Sequence, residues 1–424
     1  MMNKIKTILS NRFINAIFFG AGGAVISKGL FLLFNIIVAR ILNEKQYGIY
    51  SIINNTVQTF TVFAGAGLGV TLSRYVALYR EKNKNLAGIS IKTLLVFNII
   101  LSLIMSLIMF IFSNAISNLL SEEVNISFYL KITSFTLFFT SVALILQSIL
   151  QGFEKYKNVA VTLTITNFVT LILGIILSKY CGIIGTIVSL CILQLMLCIL
   201  FTITIYKIIK EKRIPLKFEI NDVMKDAIKN VALPAFLASI FVIPVLWITN
   251  FYFTKVNGYE SFAAFSVCLQ WFTILNYIPQ QFGQVRPILT QLYDDGNKIQ
   301  MKKVVKKLIY ISFIFAFIAA IILMIGSGLL LKFYGKFYSE YRLPFIIILI
   351  ASIFFSLQSQ CGSVFQAIGK VWISFILNVI WALVFCISFF MTVNLGVLGY
   401  CLTYLISYII YSIVSSIILY KYIK

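Results

Sequence analysis

The sequence predicts an all-α polytopic membrane protein of twelve transmembrane helices in two six-helix lobes. Three observations predict it: composition, the spacing of the apolar runs, and an internal repeat. Of 424 residues, 60% are hydrophobic and 11% charged, where a soluble domain carries about 45–50% and about 25%. So few polar side chains cannot cover a water-facing surface of this size.

About 20 apolar residues cross a bilayer. Twelve segments meet that length: 13–39, 47–70, 93–113, 128–150, 158–178 and 182–206, then 230–253, 261–285, 308–331, 343–365, 371–393 and 397–420. The first is too long for a signal-peptide core and has no convincing cleavage site, so it is expected to stay as a helix. The distribution of Lys and Arg sets orientation. With both termini cytoplasmic, 26 of the 35 basic residues fall on that side and seven in outer loops. Lys28 and Lys131 lie inside spans. Much of the +22 net charge is therefore topology rather than a nucleic-acid surface. The longest connections, about 114–127 outside and 207–229 inside, are too short for a folded domain. Function falls to the helices.

The halves match at an offset of 214 to 215. QGFEKY from Gln151 aligns with QAIGKV from Gln366, and LYREKNK from Leu78 with LYDDGNK from Leu292. Gly182-Ile-Ile-Gly185 aligns with Gly396-Val-Leu-Gly399, and Tyr206-Lys207 with Tyr420-Lys421. The chain accordingly divides into a lobe at 1–210, a cytoplasmic linker at 211–229 and a lobe at 230–424. Six spans per lobe give both the same sense, which implies a pseudo-two-fold along the membrane normal and a site between the lobes. Alternating access by rocking follows.

Glycine in one half answers proline in the other. Gly22, Gly23 and Gly29 in span 1 correspond to Pro234 and Pro244 in span 7; Gly65 in span 2 corresponds to Pro279 in span 8. Such interrupted helices point to a transport site, although small residues also serve close helix packing. Spans 1, 2, 7 and 8 are therefore expected to bend and to line a cavity.

Lys28 stands out within that cavity. It lies roughly 22 Å along span 1, too deep for easy snorkelling, and a charge there usually faces water or a partner. Asn35 shares its face. In span 8, Gln270, Thr273, Tyr277, Gln281 and Gln284 share one stripe, fit to hydrogen-bond sugar hydroxyls or to bond neighbouring helices. Arg74 and Arg286 follow spans 2 and 8 on the cytoplasmic side, where they either receive phosphate bidentately or anchor topology. All 13 acidic residues lie in loops or at span edges and histidine is absent. This favours an anionic cargo and leaves a membrane enzyme without its acids and bases. The seven cysteines read as packing residues, and neither a metal site nor a cofactor is expected.

The stretches VARILNEKQYGIYSIINN from Val38 and QGFEKYKNVAVTLTITNFVTLILGIILSKYCGIIG from Gln151 resemble the Wzx-type polysaccharide flippases of the multidrug/oligosaccharidyl-lipid/polysaccharide exporter superfamily. The resemblance implies a MATE-like fold with spans 1, 2, 7 and 8 around a cationic cavity. It implies flipping of an undecaprenyl-diphosphate-linked oligosaccharide to the outer leaflet of a bacterial inner membrane. Membrane lipids, a polysaccharide polymerase as partner, a monomeric working state and no nucleic acid go with that reading. The alternatives are a multidrug exporter of the same superfamily and, more distantly, a membrane polymerase or acyltransferase.

Overall fold

The computed structural model describes residues 25–65, 67–120, 124–240, 242–282, 289–290, 292–293 and 295–423. Among them the chain is helical almost throughout. Helix 25–41 precedes Glu44–Gly65 and Leu68–Tyr79, which together make the second span, bent by 47°. Three long helical runs contain the turns between successive spans. Gly182 interrupts Tyr156–Lys212, Gly258 interrupts Val242–Gln281, and a 3-10 turn at Val393–Leu395 precedes Gly396–Ile423. Divided at those turns, the described helices correspond to the twelve expected spans.

The repeat extends through the backbone. Lys84–Ile111 followed by Ser113–Leu120 recurs as Lys298–Ile325 followed by Ser327–Lys332. The N-cap Asn83 accepts from the Leu86 N–H at 3.1 Å, and Asn297 accepts from the Gln300 N–H at 3.1 Å. Each such cap satisfies a donor the helix start leaves open, worth about 1 kcal/mol. The QGFEKY turn places Glu154 at φ 58°, and its counterpart Gly369 lies at φ 73°. In both turns the next N–H reaches back five residues, Lys155 to the Leu150 carbonyl at 2.9 Å and Lys370 to the Phe365 carbonyl at 2.8 Å. Glycine fits that left-handed conformation freely, whereas glutamate does not. Arg80 holds Glu154 there by an ion pair and donates to the Gly152 carbonyl at 2.9 Å.

The Gly-x-x-Gly turns match as closely. Gly182 and Gly396 take φ 57°, ψ −133° and φ 63°, ψ −141°. A Cβ on Gly185 would collide with the Leu177 carbonyl, and one on Gly399 with that of Thr392. The glycines let each pair of helices pack backbone to backbone.

Two compact units emerge from the contacts: Met1–Leu42 with Ile52–Ile240, and Asn43–Ser51 with Phe241–Lys424. The stretch read as a linker belongs to the first. Thr93 Oγ1 donates to the Glu219 carbonyl and accepts its N–H, both at 3.1 Å, and Met224 and Ala227 are buried with Tyr75 and Ile89. The expected outer loop after span 3 holds a helix, Ser113–Leu120.

Large apolar side chains cover the outward faces of most spans, such as Ile100, Leu103, Ile104 and Leu107, or Phe317, Ile318, Ile321 and Ile322. Exposed apolar surface on this scale is stable only against lipid. Interiors are instead rich in Ser and Thr whose hydroxyls bond carbonyls one turn back, as Thr166 does to Thr162 at 2.9 Å and Thr170 to Thr166 at 2.8 Å. That bonding satisfies the hydroxyl within its own helix.

Candidate functional site

Span 8 breaks the lipid-facing pattern. Between residues 257 and 292 no described large hydrophobic side chain is exposed. Trp271, Phe272, Leu275, Asn276 and Pro279 form the buried side of span 8, while Thr273 and Gln280 are exposed and Gln270, Tyr277 and Gln281 half-buried beside them. A membrane helix whose open face is amide and hydroxyl faces water or a polar ligand, since hydrocarbon leaves such groups unsatisfied. Gln284 and Arg286 of the expected set lie outside the described residues, as do Gly22 and Gly23.

Within the stripe, Gln270 is spent internally. Its Nε2 donates to the Tyr47 hydroxyl at 2.6 Å and its Oε1 accepts from the Tyr334 hydroxyl at 3.1 Å. Tyr47 belongs to the 43–51 segment, which is built into the second unit. Asn35 is likewise committed to the interior: it is buried and donates to the Phe31 carbonyl at 2.8 Å. Both side chains are thus engaged in hydrogen bonds within the protein. A polar side chain on an expected face bonds whichever partner tertiary packing brings nearest.

Lys28 is exposed. At about 100° per residue it projects between Asn35 and Ala39, both buried, and roughly 140–160° from the exposed Ile26 and Leu33. The neighbouring Ser27 is buried and accepts from Asn167 Nδ2 at 2.8 Å. The ammonium therefore opens on a side of the helix other than its apolar one.

The bend in span 2 makes a pocket. Glu44–Gly65 ends at Gly65, and Gly67, at φ 72°, starts the next helix. A Cβ on Gly67 would press on the Ala232 carbonyl at 2.5 Å, so the position needs both the positive φ and the missing side chain. Ala232 ends a π-helical turn, Ile228–Ala232, immediately before Pro234. Pro234 lies two residues past that turn, inside a helical stretch that continues from Asp222, and Pro244 lies within Val242–Gln281. Helix 25–41 runs through Gly29 without a break. Pro279 lies in the last turn before Gln281, and its carbonyl accepts from Gln360 Nε2 at 2.7 Å.

Around the span 2 bend lies a cavity of about 380 Å³ with Gln58, Asn98, Ser141, Gln147, Ser148 and Gln151 among its lining and no charged side chain among the described residues there. Asn98 is 1% exposed; its Nδ2 donates to Ser141 Oγ at 3.1 Å, while its Oδ1 has no partner among the described residues. Arg74 is exposed one turn beyond Val70, which lines the same cavity. Sequence reasoning missed these amides: Gln58 and Asn98 come from two different spans, and only Gln147 and Gln151, one turn apart on span 4, share a helix. Only the glycine cluster at 65–69 signalled the place.

Comparison with known proteins agrees with this architecture. A transporter of the MATE family, multidrug resistance type, in an inward-facing conformation superposes with a TM-score of 0.74 at 16% identity, over 93% of this chain and 94% of that one. An outward-facing structure of such a transporter gives 0.73 at 15%, over 96% and 95%. A MOP superfamily transporter from Pyrococcus furiosus, described by the reverse polarity of its binding pocket, gives 0.72 at 14%, over 95% of each chain. The shared fold is thus that of MATE transporters. The capsular polysaccharide biosynthesis protein CapF of Staphylococcus aureus is 31% identical over 121 residues, 28% of this chain and 30% of that protein. The match therefore spans less than a third of that relative's length. The family model described as polysaccharide biosynthesis protein covers residues 14–248. With more than half of its residues matched, the chain belongs to the polysaccharide biosynthesis protein family.

Proposed function

We propose that the protein is a flippase that carries an undecaprenyl-diphosphate-linked oligosaccharide from the cytoplasmic to the outer leaflet by alternating access. The observation that carries this reading is the polar open face of span 8, in a chain whose other exposed helix faces are largely apolar. Membership of a polysaccharide biosynthesis family and a transporter fold support it. Lys28 meets the anionic part of the cargo, Arg74 and Arg286 receive the diphosphate at the cytoplasmic mouth, and Tyr277, Gln281 and Gln284 contact sugar. The two six-span halves rock against each other, the 211–229 connection moving with the first. The protein works as a monomer in the bacterial inner membrane with both termini cytoplasmic, handing its product to a polysaccharide polymerase.

Lys28→Ala is expected to abolish surface polysaccharide in a flippase-deleted strain while the protein still inserts. Full complementation by that variant rejects the role given to the ammonium. The MATE fold supports a second reading, export of drugs. Ethidium efflux by the purified protein in liposomes, without movement of any lipid-linked sugar, would select it. The absence of carboxylates deep in the spans argues against a cationic cargo.

A further inference from the structure

We infer that the cavity at the bend of span 2 is a subsite for one uncharged sugar ring of the cargo, set beside Arg74; this rests on the flippase reading above. Its volume of about 380 Å³ falls in the range of small-ligand sites. Its polar lining is amide and hydroxyl, groups that together donate and accept as sugar hydroxyls do. No described lining side chain carries a charge, so a carboxylate on the ligand would be desolvated there without a cation to offset it and is disfavoured against a neutral sugar.

Asn98 gives the cavity a vacant acceptor. Its Oδ1 is buried without a partner among the described residues, and an unmet buried acceptor costs about 1–3 kcal/mol. The oxygen lies just beneath the wall; once the amide turns toward the cavity, a ligand hydroxyl donating to it recovers that cost, which a lipid chain cannot do. Phe236, held edge-on to Phe63 at 6.1 Å, supplies an apolar wall for the C–H side of a ring. Gly65 opens the space: an added Cβ there meets nothing within 4 Å. Arg74, one turn beyond Val70, stands where a diphosphate attached to the seated sugar would emerge.

The test uses the full chain in proteoliposomes with four polyprenyl-diphosphate carriers: bare, or bearing glucose, N-acetylglucosamine or glucuronate. Transport and binding are read separately, binding by the emission of Phe236→Trp against the unmodified protein. A neutral sugar is expected to move about tenfold faster than the bare or glucuronate carrier, and Gly65→Met or Asn98→Leu to cut that preference to about twofold. Arg74→Gln, by contrast, should slow all four carriers alike. An unchanged preference in Gly65→Met, whose Cβ meets nothing within 4 Å, overturns the subsite. So do preference for glucuronate and an emission change equal for bare and sugar-bearing carriers, the mark of a lipid crevice. Emission shifts with neutral carriers but no transport of any carrier overturn the flippase reading and leave the subsite standing. Neither shifts nor transport overturn both.

Discussion

Span 5 turns Thr166, Thr170, Gly174 and Ser178 to the interior of the first unit; 215 positions later, span 11 turns Trp381, Phe385, Phe389 and Val393 to the interior of the second. All eight are buried on backbones of the same register. On the partner helices the contrast continues, with Thr186 in the first half and Tyr400 in the second. The first half fills this space with backbone and hydroxyls: Ser178 and Thr186 bond at 2.8 Å, and a Cβ on Gly174 would collide with the Phe34 ring. The second fills it with rings. Tyr400 stacks on Phe265 at 4.1 Å, and Trp381 on Tyr408 at 5.9 Å. Tyr400 also donates to Asn250 Oδ1 at 2.5 Å. Asn250 is the counterpart of Asn35, whose amide turns back on its own helix. A duplicated backbone therefore fixes helix ends and turns while leaving side-chain volume free to differ. Ring pairs add about 0.5–1.5 kcal/mol each beyond area burial. Hydroxyl-lined helices gain instead from close approach.

The comparison can be broken most forcefully at Phe389. Phe389→Ala should cost about 3–5 kcal/mol by opening a cavity among rings, read as a fall in unfolding temperature in detergent. Its counterpart change, Gly174→Ala, adds one methyl against the movable Phe34 ring and should cost about 1–3 kcal/mol. Equal losses at the two positions would contradict the different filling of the halves.

Next come the shared turns. Gly182→Ala and Gly396→Ala each place a methyl where φ is near +60° and ψ strongly negative, a region closed to other residues. Each should cost about 1–3 kcal/mol, and by the same amount. A marked inequality would show that the two turns are not equivalent.

The smallest effect is electrostatic and belongs to the first half. Lys212 donates to Glu81 at 2.8 Å and holds its carboxyl below the ordinary value of 4.5. A lowered folded-state value means stability that is present above about pH 4.5 and lost as pH falls below it. Both groups lie at the surface, so salt weakens the effect. Glu81→Gln should flatten the acid limb of unfolding temperature against pH slightly at low salt. An unchanged limb would remove this pair from the ledger of differences.

Much of the fold was legible because its causes are local. Asn83 and Asn297 cap helices with their own side chains, and Gly182 and Gly396 turn the chain with their own φ, so short identities at one spacing sufficed. Gly65 and its neighbours marked the bend for the same reason. The candidate site was legible only in part. Lys28 and the span 8 stripe could be picked because charge and repeated amides are costly in hydrocarbon wherever they fall. Gln270 and Asn35 could not be assigned, since an amide accepts any partner within reach. Asn98 could not be linked to Gln147 and Gln151, because no sequence spacing connects residues on different helices.

Composition and apolar run length alone determined that the chain crosses a membrane and how often, because transfer from water to lipid depends on each segment by itself. Charge distribution predicted orientation on the same footing, and the repeat announced two halves. Tertiary structure decided what those halves contain. It placed 43–51 in the second unit and bound 214–227 to the first. It filled one interior with hydroxyls and the other with rings, and gathered uncharged amides at a bend. Those outcomes depend on which side chains meet, and meeting is a property of packed helices rather than of any one segment.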